Sequence, residues 1–323
     1  MGFGGSIKAR QKITEMLRAS VILPAYNNIS TIERLFNSLR KQSMSLDEFE
    51  IIAVDGGSTD GTQEYLESLN FEGSFKLIKQ EKNLGIGTAR NRGINAAKSE
   101  ILLFIDSDME VEEDWVESHT VPIEDERWDG AVGKVRHGAN VRTKFIQYLD
   151  RPRRGAKGYG KKKQLDHSHF QYWNTSIRKE LLTQVGGFDE NIELWGGEEL
   201  ELMVRVENRG KVNLRYNPDA KAIHHQDRNL EKTCDLLENF GAKVVPYLVE
   251  KHPFLANEFR THYLDNPVSR KALMISLFNP IFFRMVKTVY KFMPGVLAFP
   301  AIKYILGYSV FRGYISYLKQ SVK

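Results

Sequence analysis

Five consecutive apolar residues, Ile101 to Ile105, run straight into Asp106-Ser107-Asp108. An unbroken apolar run of that length predicts a strand buried on both faces. The same reading along the first hundred residues predicts a regular alternation. Val21 to Leu23 forms a short strand stopped by Pro24, and Ile32, Leu35, Phe36 and Leu39 recur at helical spacing. Phe49 to Val54 is a second strand. A Gly-rich turn from Asp55 to Thr62 leads into a helix over Thr62 to Leu69. Phe75 to Lys79 is the next strand and Thr88 to Ala97 the next helix. Strands alternating with helices imply an α/β fold built on a mostly parallel, right-handed sheet. Such sheets bind ligands at the carboxyl ends of their strands.

The pattern changes twice farther on. Residues 151–163 interleave Arg151, Arg153, Arg154, Lys157, Lys161, Lys162 and Lys163 with glycine and proline. This reads as a mobile basic loop: a solvated insertion, a flap over phosphates or a lipid contact. From about residue 270, aromatic and aliphatic residues crowd together with recurring cations, Arg284, Lys287, Lys291 and Lys303 among them. No uncharged run reaches the length a spanning helix needs, so these helices are expected to lie in a membrane interface rather than cross it. Packing on the core or on another subunit is the competing expectation. Residues 219–223 read as a short strand and 200–208 as a helix.

Composition narrows the class. Hydrophobic residues make up 41% and charged residues 27%, which is globular rather than disordered. The net charge of +5 and pI near 9.0 point to an anionic partner. Because the charge sits in one loop and in aromatic helices, nucleic acid is not expected. The one cysteine, Cys234, excludes an intrachain disulfide framework and fits a reducing compartment. No secretory signal is visible, and Met1 to Ser6 matches a loose myristoylation pattern.

Chemistry enters at the strand ends. Asp106 and Asp108 offer hard oxygen ligands for a divalent cation, which in turn suits a diphosphate; an ordinary solvated turn is the alternative. Pro24 and Tyr26 can wall a base or ribose. Asp55 can accept a hydrogen bond from a uracil N–H. Arg90 can meet a nucleotide or pyrophosphate, or form a surface ion pair. Asn174 and Arg178 are candidates for acceptor or donor-sugar contact. Trp195 offers a flat face for a sugar ring.

Four segments, Val21-Ile22-Leu23-Pro24-Ala25-Tyr26-Asn27, Val54-Asp55-Gly56-Gly57-Ser58-Thr59-Asp60-Gly61, Asn83-Leu84-Gly85-Ile86-Gly87-Thr88-Ala89-Arg90-Asn91 and Phe104-Ile105-Asp106-Ser107-Asp108, together strongly resemble the family 2 glycosyltransferases of the GT-A fold. Gly186-Gly187-Phe188-Asp189-Glu190 and Trp195-Gly196-Gly197-Glu198-Glu199 fit the same family. The likeness covers roughly residues 18–230 and looks closest to bacterial enzymes of surface-polysaccharide synthesis. It implies a Mn²⁺ or Mg²⁺ ion on Asp108, with Asp106 at the ribose or a metal-bound water. It also implies a histidine ligand, placed at His225 with His224 as the alternate. The family's base is the second acid of a Glu-Asp pair, which carries onto Glu199, with Glu198 orienting the acceptor and the two roles interchangeable. Glu in place of Asp, and Asp55-Gly56-Gly57 where many relatives read Asp-Asp-Gly, are departures from the pattern.

The expected organisation is a leader at 1–19, a GT-A domain at 20–232 and a helical, membrane-interfacial region at 233–323. The GT-A domain divides into a nucleotide-binding half (20–110) and an acceptor half (111–232). The expected activity is metal-dependent, inverting transfer of a hexose-type sugar from a UDP-sugar to a glycan or lipid-linked acceptor. Its expected place is cytoplasmic, peripheral on the inner face of the membrane and in contact with an anionic surface. A nucleotidyltransferase and a non-catalytic nucleotide-sugar-binding membrane protein are the alternatives.

Overall fold

The computed structural model describes residues 17–125, 127–138, 142–161, 163–225, 229–275 and 278–321. The leader up to residue 16, the myristoylation pattern, Lys162 and Gln226-Asp227 lie outside them. Eight strands form one sheet: β1 (Ala19–Ala25), β2 (Phe49–Asp55), β3 (Ser74–Lys79), β4 (Ile101–Ile105), β5 (Met109–Val111), β6 (Gly130–His137), β7 (Asn174–Arg178) and β8 (Leu214–His224). Their spatial order is β3-β2-β1-β4-β7-β6-β8-β5. Seven helices accompany them: α1 (Ile29–Leu39), α2 (Thr62–Ser68), α3 (Ile86–Ala96), α4 (Trp115–Glu124), α5 (Lys144–Leu149), α6 (Lys179–Thr183) and α7 (Glu198–Glu207). From Leu230 the described chain is helix and turn: α8 (Leu230–Asn239), α9 (Val245–Lys251), α10 (Leu255–Glu258), α11 (His262–Asp265), α12 (Pro267–Ile275), α13 (Pro280–Val289) and α14 (Ala298–Ser321).

The alternation read in the first hundred residues is what forms. β1, β2, β3 and β4 run parallel, and every residue of β2 and β4 is buried. Ile32, Leu35, Phe36 and Leu39 of α1 are all buried against them. Pro24 does not stop β1, which continues to Ala25. The ladder to β4 ends at Ile22, so the missing N–H of Pro24 breaks no bond there. Gly93 lets α3 lie close on β1: a Cβ there would sit 2.5 Å from Ile22 Cγ2.

The sheet is more mixed than expected. β7 is antiparallel to both β4 and β6, and β5 is antiparallel to β8. Asn174 to Arg178 form the strand β7. The expected short strand at 219–223 is the end of the longer β8. The one sheet runs through both halves of the 20–232 segment.

These pairings set the site. Ala25 lies opposite Asp55, and Ile22 opposite Phe104, so Tyr26, Asp55 and Asp106 emerge at one edge. Met109 pairs with His224, so the short β5 brings the Asp108 turn to the end of β8.

Candidate active site

Two pockets open at that edge and share Ile86 and Asp106. The first is lined by Pro24, Tyr26, Gln80, Asn83, Asp106 and Asp108 among others. Asp55, next in the chain to the lining residue Gly56, is wholly buried. Its Oδ2 accepts the N–H groups of Gly57 (3.0 Å) and Ser58 (3.1 Å), while its buried Oδ1 has no hydrogen-bond partner. Gln80, directly after β3, is 4% exposed, and neither polar atom of its amide is bonded. Sequence reading missed Gln80. The signal available was its place beside Asp55 at a predicted strand end. Tyr26 is 46% exposed and free to form a wall.

Asp108 and His224 meet at the far side of this pocket, with Asp108 Oδ2 2.9 Å from His224 Nε2. His225 goes the other way. Its backbone N–H donates to the Asp108 carbonyl, but its ring lies 2.7 Å from Glu110 Oε2. Adjacent residues at a strand end point to opposite sides. Of the two histidines, the alternate, His224, is the one whose ring lies beside Asp108, and the ring of His225 lies beside Glu110. A carboxylate and an imidazole this close suit a borderline divalent ion. Among the described residues no three His, Cys, Asp or Glu side chains converge as a closed metal site.

The second pocket contains the other acids. Trp195, Gly196, Gly197, Glu198 and Glu199 form one side, with His137, Arg154, His167 and Trp173 around them. Glu198 and Glu199 open α7, where the helix dipole favours negative charge. The turn before them needs glycine: Gly197 has φ +95°, and a Cβ would lie 2.6 Å from Val244 Cγ1. The next turn of α7 is held by a buried ion network. Glu201, fully buried, takes Arg205 in a bidentate pair and Lys251 Nζ at 2.8 Å. Lys251 also reaches Asp189 at 2.5 Å. This tie between the Gly-Gly-Phe-Asp turn, α7 and α9 was not read from the sequence.

Arg90 joins the two acid pairs. It is 1% exposed, with Nη1 3.2 Å from Glu199 and 3.3 Å from Glu198, and Nη2 3.5 Å from Asp106. It is not a surface ion pair: it lines the second pocket and is buried among carboxylates. Burial works against its charge, yet Glu199, Asp106 and Glu198 together raise its pKa. Burial pushes the Glu199 carboxyl up to about 7, against the pull of Arg90 and with the push of Glu198. Burial raises Glu198 as well. The backbone N–H of Tyr172 donates to Glu199 Oε1 at 2.9 Å and orients it.

Two candidates fall away from the site. Asn174 is fully buried. Its Oδ1 accepts from Trp115 Nε1 (2.7 Å) and lies 2.8 Å from His119 Nε2, and its Nδ2 donates to the Ala220 carbonyl. Its amide is committed to the core and cannot reach an acceptor. Arg178 lies at the opposite end of β7, level with Ile101, and donates to the Ile123 carbonyl. The basic loop is anchored: Arg151 lies over the rings of Tyr148 and Phe299, and Lys157 donates to the Leu149 carbonyl. His137, paired with Asp150 at 2.8 Å, stands 5.4 Å from the ring of His224 and was not anticipated.

Comparison with known proteins bears on this arrangement. The profile described as glycosyl transferase family 2 matches residues 20–186, and one described as the N-terminal domain of galactosyltransferase matches 161–227. The glycosyltransferase YfnE of Bacillus subtilis (strain 168) is 27% identical over 287 residues, covering 73% of this chain and 71% of that one. Validoxylamine A glucosyltransferase of Streptomyces hygroscopicus subsp. jinggangensis is 26% identical over 277 residues, covering 74% of this chain and 62% of its own length. Among solved structures, Staphylococcus aureus TarS 1–349 in complex with UDP superposes with a TM-score of 0.53 at 19% identity, covering 94% of this chain and 91% of that one. The mannosyltransferase PcManGT of Pyrobaculum calidifontis, in complex with GDP-Man and Mn²⁺, gives 0.56 at 18%, covering 91% and 86%. At such identities the structural likeness establishes the fold, which is GT-A.

Proposed function

The chain belongs to glycosyl transferase family 2, and from that premise we propose that it moves a hexose-type sugar from a UDP-sugar to a glycan or lipid-linked acceptor, with inversion. One observation carries the reading: the strand-end pocket and the acid-lined pocket share Ile86 and Asp106 in their walls. A donor in the first presents its sugar toward Glu198 and Glu199 in the second. TarS and PcManGT, solved with UDP and with GDP-Man and Mn²⁺, support a nucleotide-sugar donor and a divalent ion.

In this reading Asp55 Oδ1 and the Gln80 amide face the base, and Tyr26 and Pro24 wall it. Asp108 and His224, with Asp106 beside them, would hold Mn²⁺ or Mg²⁺, which would supply positive charge for a diphosphate. Glu199 takes the proton from the acceptor hydroxyl as it attacks the anomeric carbon from the face opposite the diphosphate. Its raised pKa suits a base that works near neutrality. Glu198 orients the hydroxyl and Trp195 carries the acceptor ring. Arg90 compensates both acids and keeps Glu199 from rising further. The product belongs to polysaccharide synthesis, and the protein acts in the cytoplasm, peripheral on the inner membrane face.

The test is nucleotide release with Mn²⁺ and a panel of sugar donors, with the anomeric configuration of the product read by NMR. Asp108→Ala and Glu199→Gln should each lower release by roughly a hundredfold or more. Full activity in both overturns the assignment. Pyrophosphate as the product marks a nucleotidyltransferase, and UDP binding without turnover marks a non-catalytic protein.

A further inference from the structure

Helix α13 is apolar on two faces, and among the described residues only one of them is covered. Inward, Phe283 stacks on Tyr308 of α14 with ring centroids 4.3 Å apart, and Phe282 meets Tyr304. Outward, Ile281, Met285 and Val289 follow at helical spacing, and the stripe continues through Phe292 into the turn carrying Val296 and Leu297. These six are 44–84% exposed, with Phe292 at 84% and Ile281 at 81%. Scattered single apolar residues on a surface need no explanation, but a continuous stripe of large ones does.

Charge identifies what covers it. Residues 266–323 hold nine Lys or Arg and no acid; the rest of the chain holds 37 basic against 41 acidic residues. The whole positive excess of the chain therefore lies in this segment. Lys287 and Arg312 pair with Glu231 and Glu238 of α8. Arg284 and Lys291 stand exposed beside the apolar stripe. No helix among the described residues is long and apolar enough to cross a membrane. An apolar stripe rimmed by cations and lacking acids complements the headgroup layer of an anionic bilayer.

We propose that the outer face of α13, with the turn at 294–297, is the element that inserts into the surface of an anionic bilayer. This deepens the peripheral placement proposed above and rests on it. The consequence for the site is geometric. α13 packs on α14, and Leu306 of α14 lines the acid-bearing pocket. Packed helix axes lie about 8–10 Å apart. Docking by α13 therefore holds the acceptor pocket close to the lipid, as a lipid-linked acceptor requires.

The experiment is flotation of the full chain with phosphatidylcholine vesicles and with phosphatidylcholine–phosphatidylglycerol vesicles, alongside UDP binding by calorimetry. The wild type should float with the anionic vesicles, much less with the neutral ones, and less in high salt. The double variant Ile281→Asp/Phe292→Asp should lose about tenfold or more in vesicle affinity. Arg284→Glu/Lys291→Glu should lose the preference for phosphatidylglycerol. All substituted side chains are exposed, so unchanged UDP binding reports an intact fold. Absence of flotation, or wild-type flotation by the Ile281→Asp/Phe292→Asp protein, overturns the proposal. So does self-association abolished by the same pair, which marks the face as an interface between copies. UDP binding is read separately, so a failure of the donor reading is not mistaken for a failure of this one.

Discussion

Asp106-Ser107-Asp108 and Glu198-Glu199 are two acid pairs of similar composition in opposite settings. The aspartates stand on the turn after a buried strand and meet an imidazole, with Asp108 2.9 Å from His224. The glutamates open a helix and share a guanidinium supplied by the chain itself, with Arg90 3.2 and 3.3 Å away. A carboxylate beside an imidazole suits an incoming divalent cation. A carboxylate pair already balanced by arginine, and partly desolvated, is tuned for proton transfer. Setting, not residue type, separates the two roles. Arg90 is where they touch, because its other nitrogen faces Asp106.

The division of labour has measurable consequences. Glu199→Gln should lower the transfer rate by roughly a hundred- to ten-thousandfold, the contribution of a positioned base. Donor binding should stay intact, as calorimetry with UDP would show; a loss of donor binding in this variant would merge the two sites. Arg90→Met comes next. Removing one partner of a buried ion cluster costs about 3–5 kcal/mol, readable by denaturant unfolding. It also shifts the pH profile. As the proposed base, Glu199 must be ionised to act, so activity should rise with pH through about 7 in the wild type. Arg90 lowers that pKa, so its loss moves the rising limb to higher pH. A limb that stays in place would deny the coupling.

His224→Ala should weaken Mn²⁺-dependent nucleotide binding by roughly tenfold or more, whereas His225→Ala should stay within about twofold, as surface substitutions do. The reverse ranking would restore His225. Asn174→Ala has the smallest effect on chemistry. It leaves Trp115 Nε1 without its acceptor, which costs about 1–3 kcal/mol of stability. Transfer per folded molecule should not change.

The two halves of the sheet were not equally legible. β1 to β4 and their helices follow local periodicity, with short connections and parallel order, and each lies within a few residues of its expected place. β7 did not, because Asn174-Thr175-Ser176-Ile177-Arg178 carries little apolar signal and earns burial from its neighbours. Asn174 looked like a ligand-binding amide because nothing local reveals Trp115 and His119 waiting beneath it. His224 and His225 are equivalent as neighbours in a chain. Only the pairing of Met109 with His224 decides which ring meets Asp108.

By itself, then, the order of residues determined the alternating architecture, the strand that delivers Asp106 and Asp108, and the helix that begins with Glu198 and Glu199. These depend on side-chain periodicity within a few turns of chain. Tertiary structure alone decided that Arg90 serves the acids, that His224 rather than His225 joins Asp108, and that the outer face of α13 is left bare. Each of those contacts links groups roughly a hundred residues apart or depends on which helix face its neighbours cover, and the register that sets them is a property of the packed sheet and helices.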